Sequence, residues 1–340
     1  MKKSLLLVTA ILLTFVLMSC DRSTPPKKEE PKVVKKISVR IPWIRTAATT
    51  GLEVAAEQGF FKEVGLEVEI KPGSVEASPL RKVLNSEDQF GILEPAQVLV
   101  GIAEQKMPLV ILAMKMQRSP FCLMSKTEKG IKTIQDMKGK RIGYNPLNDV
   151  SYLAMLKAGN VKRENVKEVR VQFNLEPFLQ EQVDVWPSYI SNEPVVAKEK
   201  GVNVSLICAD DVGVHLYEHA LFARKDFVQK SPEVVEAFIR AWIKGWQFAI
   251  KNPEQAVDIV MKRTEGLDRK NEQKVLEIIT PLITGGQAAE KGIAWVDPQM
   301  IDGIGRILVD LKLLANAPAG TDVVDNSFLQ KIDRAIPAKP

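Results

Sequence analysis

From residue 36 to residue 223 the sequence alternates short strand-like runs with stretches of helical period, and few architectures can bury such an alternation. Residues 37–41 and 66–70 are apolar at every second position and read as strands. Residues 47–58 between them carry a helical spacing that stops at Gly59. A short helix is predicted over 78–84, a buried strand over 90–92, and a helix from Pro95 to about Gln105. Pro95 suits the first turn, where its missing N–H costs nothing. Residues 109–113 and 121–124 give two more strands. A second unit follows, with strands at 141–144, 169–171, 183–186 and 202–207 separated by helices at 150–158, 175–180 and 193–200. Residues 221–223 read as a strand returning to the first unit. Such an order closes only as sheets covered by helices, so the predicted fold class is α/β. The remainder is helical, over 232–250, from 252, over 273–282 and over 298–314. On the 232–250 helix, Val235, Phe238, Ile239, Trp242, Trp246 and Ala249 share one face and read as core.

The 340 residues fit two compact lobes of about 100–200 residues each. With 45% hydrophobic and 26% charged residues, the composition excludes a chain disordered throughout. At the N-terminus Lys2 and Lys3 precede an apolar run over 5–18, then Ser19 and Cys20. That run is 14 residues, short of the roughly 20 a spanning helix needs, so 1–19 reads as an export signal. The ending Leu17-Met18-Ser19-Cys20 resembles the lipobox of bacterial lipoproteins, which implies acylation of Cys20. The other reading is a plain secretory signal in which Cys20 is incidental. Residues 20–36, rich in Pro and Lys without an aromatic residue, predict a flexible tether. The expected location is extracytoplasmic, held to the cell membrane by lipid, on the periplasmic side of the inner membrane if the cell has two. Net charge is +5, and +3 once Lys2 and Lys3 are removed, which does not suggest a nucleic-acid surface. Cys122 and Cys208 lie in apolar stretches and are expected to be buried thiols, with a disulfide left open.

Several segments resemble the nitrate, sulfonate and thiamine-precursor periplasmic-binding family. Residues 55–69 (AAEQGFFKEVGLEVE) are similar to its "A-x-E-x-G-F-F-x-x-x-G-L-x-V" stretch, and 90–101, 134–143, 182–194 and 245–249 also look like it. The likeness spans about residues 37–335. It implies a two-lobed periplasmic-binding-protein fold (type II-like), each lobe a sheet flanked by helices. One lobe would hold 37–118 and 222–335, the other 119–221, with hinge crossings near 119–122 and 219–223, and a tail over 336–340. It further implies an ABC permease as partner, a monomer, and non-covalent capture of a small molecule with no catalytic residue, cofactor or metal.

The ligand would lie where strand ends and helix N-termini meet between the lobes. Trp43 follows the first strand and either stacks on a flat ligand or packs. Thr50 either faces the ligand or caps its helix. Glu94 stands at a strand-to-helix junction, where a carboxylate accepts from an amino group or ring N–H or simply meets the helix dipole. That choice disfavours sulfonate and nitrate. Gln117 and Arg118 lie at the first crossing, and Arg118 either binds an acidic group or pairs across the hinge. Asn145 opens a loop after a strand. Trp186, Tyr189, Asn192 and Glu193 fill one predicted strand-to-helix loop, and a comparable aromatic-Asn-Glu set occurs in the thiamine-pyrimidine branch of the family. Packing of those aromatics on their own lobe is the competing reading. His215 and His219 are spaced i, i+4 but lack a third metal ligand nearby, and His215 and Tyr217 are expected beside the second crossing.

The expected function is an extracytoplasmic solute-binding component of an ABC importer for a thiamine pyrimidine precursor or riboflavin. A sulfonate such as taurine, or nitrate, is the alternative within the class. An enzyme resembling the fungal pyrimidine-phosphate synthases is a different class, disfavoured by the export signal and by the lack of a cysteine-rich motif. A ligand-sensing lipoprotein is a third. No GxSxG, HExxH or P-loop pattern supplies another chemistry.

Overall fold

Ten strands among the described residues build two five-stranded sheets of the same design. The computed structural model describes residues 34–74, 76–145, 149–172 and 174–338. The predicted export signal, Cys20 and most of the predicted tether lie outside them, as do Pro146, Leu147 and Asn148.

The first sheet has the order β2-β1-β3-β10-β4. Its members are β1 (Lys35–Arg40), β2 (Leu66–Lys71), β3 (Phe90–Leu93), β4 (Leu109–Met116) and β10 (Glu218–Arg224). β1 therefore takes in Lys35 and Lys36, the last residues of the predicted tether. β1 runs parallel to β2 and β3, while β10 runs antiparallel to β3 and β4. All eight residues of β4 are buried, as a strand covered on both faces requires. One cover is the helix Pro232–Lys251, which buries Val235, Phe238, Ile239, Trp242 and Trp246 as its spacing predicts. Phe238 stacks on Phe90 of β3 with ring centroids 4.2 Å apart. The helix Thr50–Glu57 crosses it so closely that a Cβ at Gly245 would lie 2.0 Å from the Gly51 carbonyl oxygen, which explains glycine there. Beyond β4, Met114 and Gln117 donate their N–H groups to Ala294 and Leu282 of the C-terminal segment. That segment closes the sheet edge.

The second sheet has the order β7-β6-β8-β5-β9, with β5 (Phe121–Lys126), β6 (Arg141–Tyr144), β7 (Lys167–Arg170), β8 (Val185–Tyr189) and β9 (Val204–Cys208). Here β5 is the antiparallel member, between β8 and β9. Each sheet thus has one reversed strand second from its edge, and the chain crosses between sheets beside it, over 117–120 and 209–217. The predicted α/β fold of two sheets flanked by helices is what the structure shows.

Two local expectations are corrected. Cys122 and Cys208 are bonded to each other. They stand directly opposite in the β5–β9 register, a proximity that 86 residues of separation conceal. The segment read as a loop from Trp186 is strand as far as Tyr189. Pro187 is tolerated because β6 pairs with β8 only at Ile142 and Val185, so no partner there waits for its missing N–H.

Candidate functional site

The C-terminal end of β3, the start of β10, the crossing at 117–120 and the end of β8 converge between the two sheets. The β10–β3 register sets Ala220 opposite Leu93, which brings Glu218 to the same sheet end as Glu94. Glu94 precedes Pro95 at the head of the helix Pro95–Glu104. Its Oε1 accepts from the Tyr189 hydroxyl at 3.1 Å and its Oε2 from Gln97 Nε2 at 3.3 Å. Burial raises its carboxyl to about 7 against these two bonds. Glu218 is 2% exposed. Its Oε2 accepts from Ser119 Oγ at 3.2 Å, while its Oε1 has no hydrogen-bond partner among the described residues. His219 Nε2 stands 3.7 Å from that oxygen, too far for a bond. Burial first, and then the Glu94 carboxyl, push Glu218 well above the usual carboxylate range.

Two buried bases complete the group. Lys115, on β4, donates Nζ to the Ala48 carbonyl at 2.9 Å, and burial lowers it to about 7. Burial and the neighbouring Lys115 keep His219 well below its ordinary value, so its ring is neutral. His219 also sits at φ +62°, a left-handed conformation that costs energy outside glycine. Glu94, Tyr217, Glu218, Ser151 and Ile304 are among the residues lining a gap of about 10 Å³, the size of one water.

The structure brings together some of the predicted residues. Tyr189 links Glu94 through its hydroxyl and Glu193 through its N–H, which donates to Glu193 Oε2 at 2.9 Å. Asn192 Nδ2 donates to Glu193 Oε1 at 3.2 Å. Burial raises Glu193 as well. Tyr217 lines the gap, its hydroxyl accepting the Asp297 N–H at 3.2 Å. Burial pushes its phenol up to about 12.

Others lie elsewhere. Trp186 points into the apolar layer of the second sheet with Met124, Phe178 and Val183, because odd and even positions of β8 face opposite sides. Thr50 is buried and donates Oγ1 to Ala47 O at 2.6 Å. Gln117 Nε2 donates to Trp295 O at 3.0 Å. Arg118 pairs with Asp210 at 3.4 Å, and His215 Nδ1 lies 2.6 Å from the same carboxylate. Arg118 therefore joins the two crossings, while His215 pairs within the second. His215 and His219 do not share a helix, and among the described residues no group of three or more His, Cys, Asp or Glu is placed to hold a metal. Trp43, 38% exposed, stands in the loop after β1, and Asn145 is half-buried at the end of β6.

Glu218 and Lys115 escaped the sequence reading. A signal was there for Lys115, the lone charge in the apolar strand LVILAMKM; Glu218 opens EHALFAR, whose apolar middle is flanked by His219 and Arg224. Chemically the group presents oxygen acceptors and hydroxyls, with its lysine already bonded to a backbone carbonyl.

Residues 46–256 match the model of the family described as NMT1/THI5 like. The formylaminopyrimidine-binding protein of Halalkalibacterium halodurans is 27% identical, across 87% of this chain and 94% of that protein. The riboflavin-binding protein RibY of Chloroflexus aurantiacus is 23% identical across 88% and 90%. The crystal structure of the periplasmic aliphatic sulphonate binding protein SsuA from Escherichia coli superposes with a TM-score of 0.69 at 12% identity, across 87% and 93%. That likeness shows the fold.

Proposed function

The chain belongs to the NMT1/THI5-like family, and from that premise we propose that it is the extracytoplasmic solute-binding component of an ABC importer, capturing a small heteroaromatic metabolite between its lobes. The ligand class is a thiamine pyrimidine precursor or, second, riboflavin. One observation carries this reading: a half-buried carboxyl of one lobe, Glu94, bonded to an aromatic hydroxyl of the other, Tyr189, in a group rich in acceptors. A nitrate or sulfonate site needs donors, and here two carboxyls would repel the anion. The names of two relatives, one for a formylaminopyrimidine and one for riboflavin, support the same class.

A pocket for such a ligand holds about 300–1,000 Å³, against the 10 Å³ between the lobes here. Capture therefore begins with opening. The two crossings act as the hinge, and the bodies that move are 37–118 with 222–335 against 119–221. The Tyr189–Glu94 and Lys157–Asp310 contacts part, the ligand enters, and closure buries it. The closed shape is what the permease reads. No bond is made or broken. No helix among the described residues is long and apolar enough to cross a membrane, and the tie to the membrane is assigned to acylated Cys20. The protein acts as a monomer.

A thermal-shift panel on the full chain tests this. It holds 4-amino-5-hydroxymethyl-2-methylpyrimidine, its formylamino relative, riboflavin, taurine, an alkanesulfonate and nitrate. Ligand at 100 times its dissociation constant stabilises by about 2.7 kcal/mol. A shift with a pyrimidine or flavin supports the reading, and a shift with sulfonate or nitrate alone overturns the ligand class.

A further inference from the structure

We infer that Glu218, seconded by Glu94, is the specificity-determining residue of the site, and that it selects nitrogen heteroaromatics bearing an exocyclic amino group by accepting that group's N–H on Oε1. This rests on the heteroaromatic reading above and narrows it to the amino-bearing rings.

Three features of the group point there. Glu218 is almost wholly buried, and Ser119 Oγ and the His219 backbone N–H support its carboxylate, yet Oε1 has no hydrogen-bond partner among the described residues. A buried acceptor left without a donor carries its full desolvation cost, and such a residue is kept where a ligand supplies the donor. Glu218 also lines the same gap as Glu94, so any group filling that gap meets two carboxyls. Lastly, the neighbours do not complete it. Lys115 is bonded to Ala48 O and makes no ion pair with Glu218 among the described residues. His219 Nε2 is 3.7 Å away and its ring is neutral. Tyr189 gives its hydroxyl to Glu94.

Two carboxyls in one buried gap do not both ionise, and the pair retains a proton near neutral pH. It therefore presents acceptors and a single O–H. An aminopyrimidine offers the match, an amino N–H beside a ring nitrogen that takes a hydrogen bond. A ring without the amino group leaves Oε1 unmet, and a sulfonate adds negative charge to the pair.

The test is isothermal titration of the full chain, wild type and Glu218→Met, with 4-amino-5-hydroxymethyl-2-methylpyrimidine and with the same ring lacking the 4-amino group. Wild type is expected to prefer the amino compound by about 10- to 100-fold, the range set by one unmet buried acceptor. In Glu218→Met that preference falls to about threefold or less, while the affinity for the deamino ring changes little. Glu218→Gln, which keeps one carbonyl acceptor and the shape of the side chain, retains part of the preference and serves if the Met variant fails to fold. An undiminished preference in either folded variant overturns the inference and leaves the heteroaromatic reading standing. Wild-type binding of riboflavin with no binding of the aminopyrimidine does the same. Wild-type binding of alkanesulfonate alone overturns both.

Discussion

Two acidic residues bracket the four-residue strand β3, and their surroundings could hardly differ more. Asp88, before the strand, is buried and fully met: Ser38 Oγ donates at 2.7 Å, Arg40 Nε at 2.8 Å and Lys71 Nζ lies at 3.0 Å. Burial opposes its charge, but these partners together hold its carboxyl below the usual range. Glu94, after the strand, is half-buried with hydroxyl and amide partners, Glu218 beside it is buried with a hydroxyl partner, neither is ion-paired to a Lys or Arg among the described residues, and both are pushed up. The same sheet thus completes Asp88 with cations at one end and leaves Glu218 Oε1 without a donor among the described residues at the other. The wanting end faces the other lobe. A met carboxylate holds strands together, whereas the unmet one is the acceptor that the proposed ligand would fill.

The comparison is broken first by loosening the cleft end without touching a carboxyl. Replacing Cys122 and Cys208 by Ser removes a link closing 86 residues, and chain entropy puts the loss at about 4.6 kcal/mol. Denaturant unfolding should show it, while ligand affinity of the folded fraction persists; a loss of affinity equal to the loss of stability would assign the cleft's order to the disulfide. Next, Asp88→Ala strands Arg40 and Lys71 and is expected to cost about 3 kcal/mol in urea unfolding without altering selectivity. A change below about 1 kcal/mol would place Asp88 among the idle ion pairs.

The two ends also answer pH with opposite sign. The Asp88 contribution is present above its unfolded value near 4 and is lost as pH falls through its lowered folded value. Glu94, raised to about 7 in the fold, gives stability present below its unfolded value, near 4.5, that is lost as pH rises through 7. With allowance for its partial exposure, wild type should lose about 2 kcal/mol relative to Glu94→Gln between pH 4.5 and 8. Parallel curves would remove the distinction between the ends. The smallest effect is that of Tyr189→Phe, which deletes one bond between the lobes, worth about 1 kcal/mol. The expected result is a larger radius of gyration in small-angle scattering and faster ligand entry, and an unchanged radius would deny the contact a role in closure.

Sequence periodicity disclosed the order of the elements well, because strand and helix periods are properties of neighbours in the chain. It misjudged β8, where Pro187 imitates a strand end, and it could not pair Cys122 with Cys208. The site was half legible. Glu94, Tyr189 and Glu193 stood at junctions that a layered fold brings to the cleft. Their grouping depends on register: Tyr189 meets Glu94 across 95 residues and Ser119 meets Glu218 across 99. Trp186 was misplaced for the same reason, since once β8 runs to Tyr189 its alternation turns that indole into the lobe. Glu218 and Lys115 were hidden in strands with apolar middles, where a charge draws less notice than a motif.

The most direct test is a crystal structure of the protein with 4-amino-5-hydroxymethyl-2-methylpyrimidine bound. The account predicts the ring between the lobes, beside Tyr189, with its amino nitrogen within about 3.2 Å of Glu218 Oε1. Ring density at another place, such as the rim near Trp43 with Glu218 untouched, would contradict it.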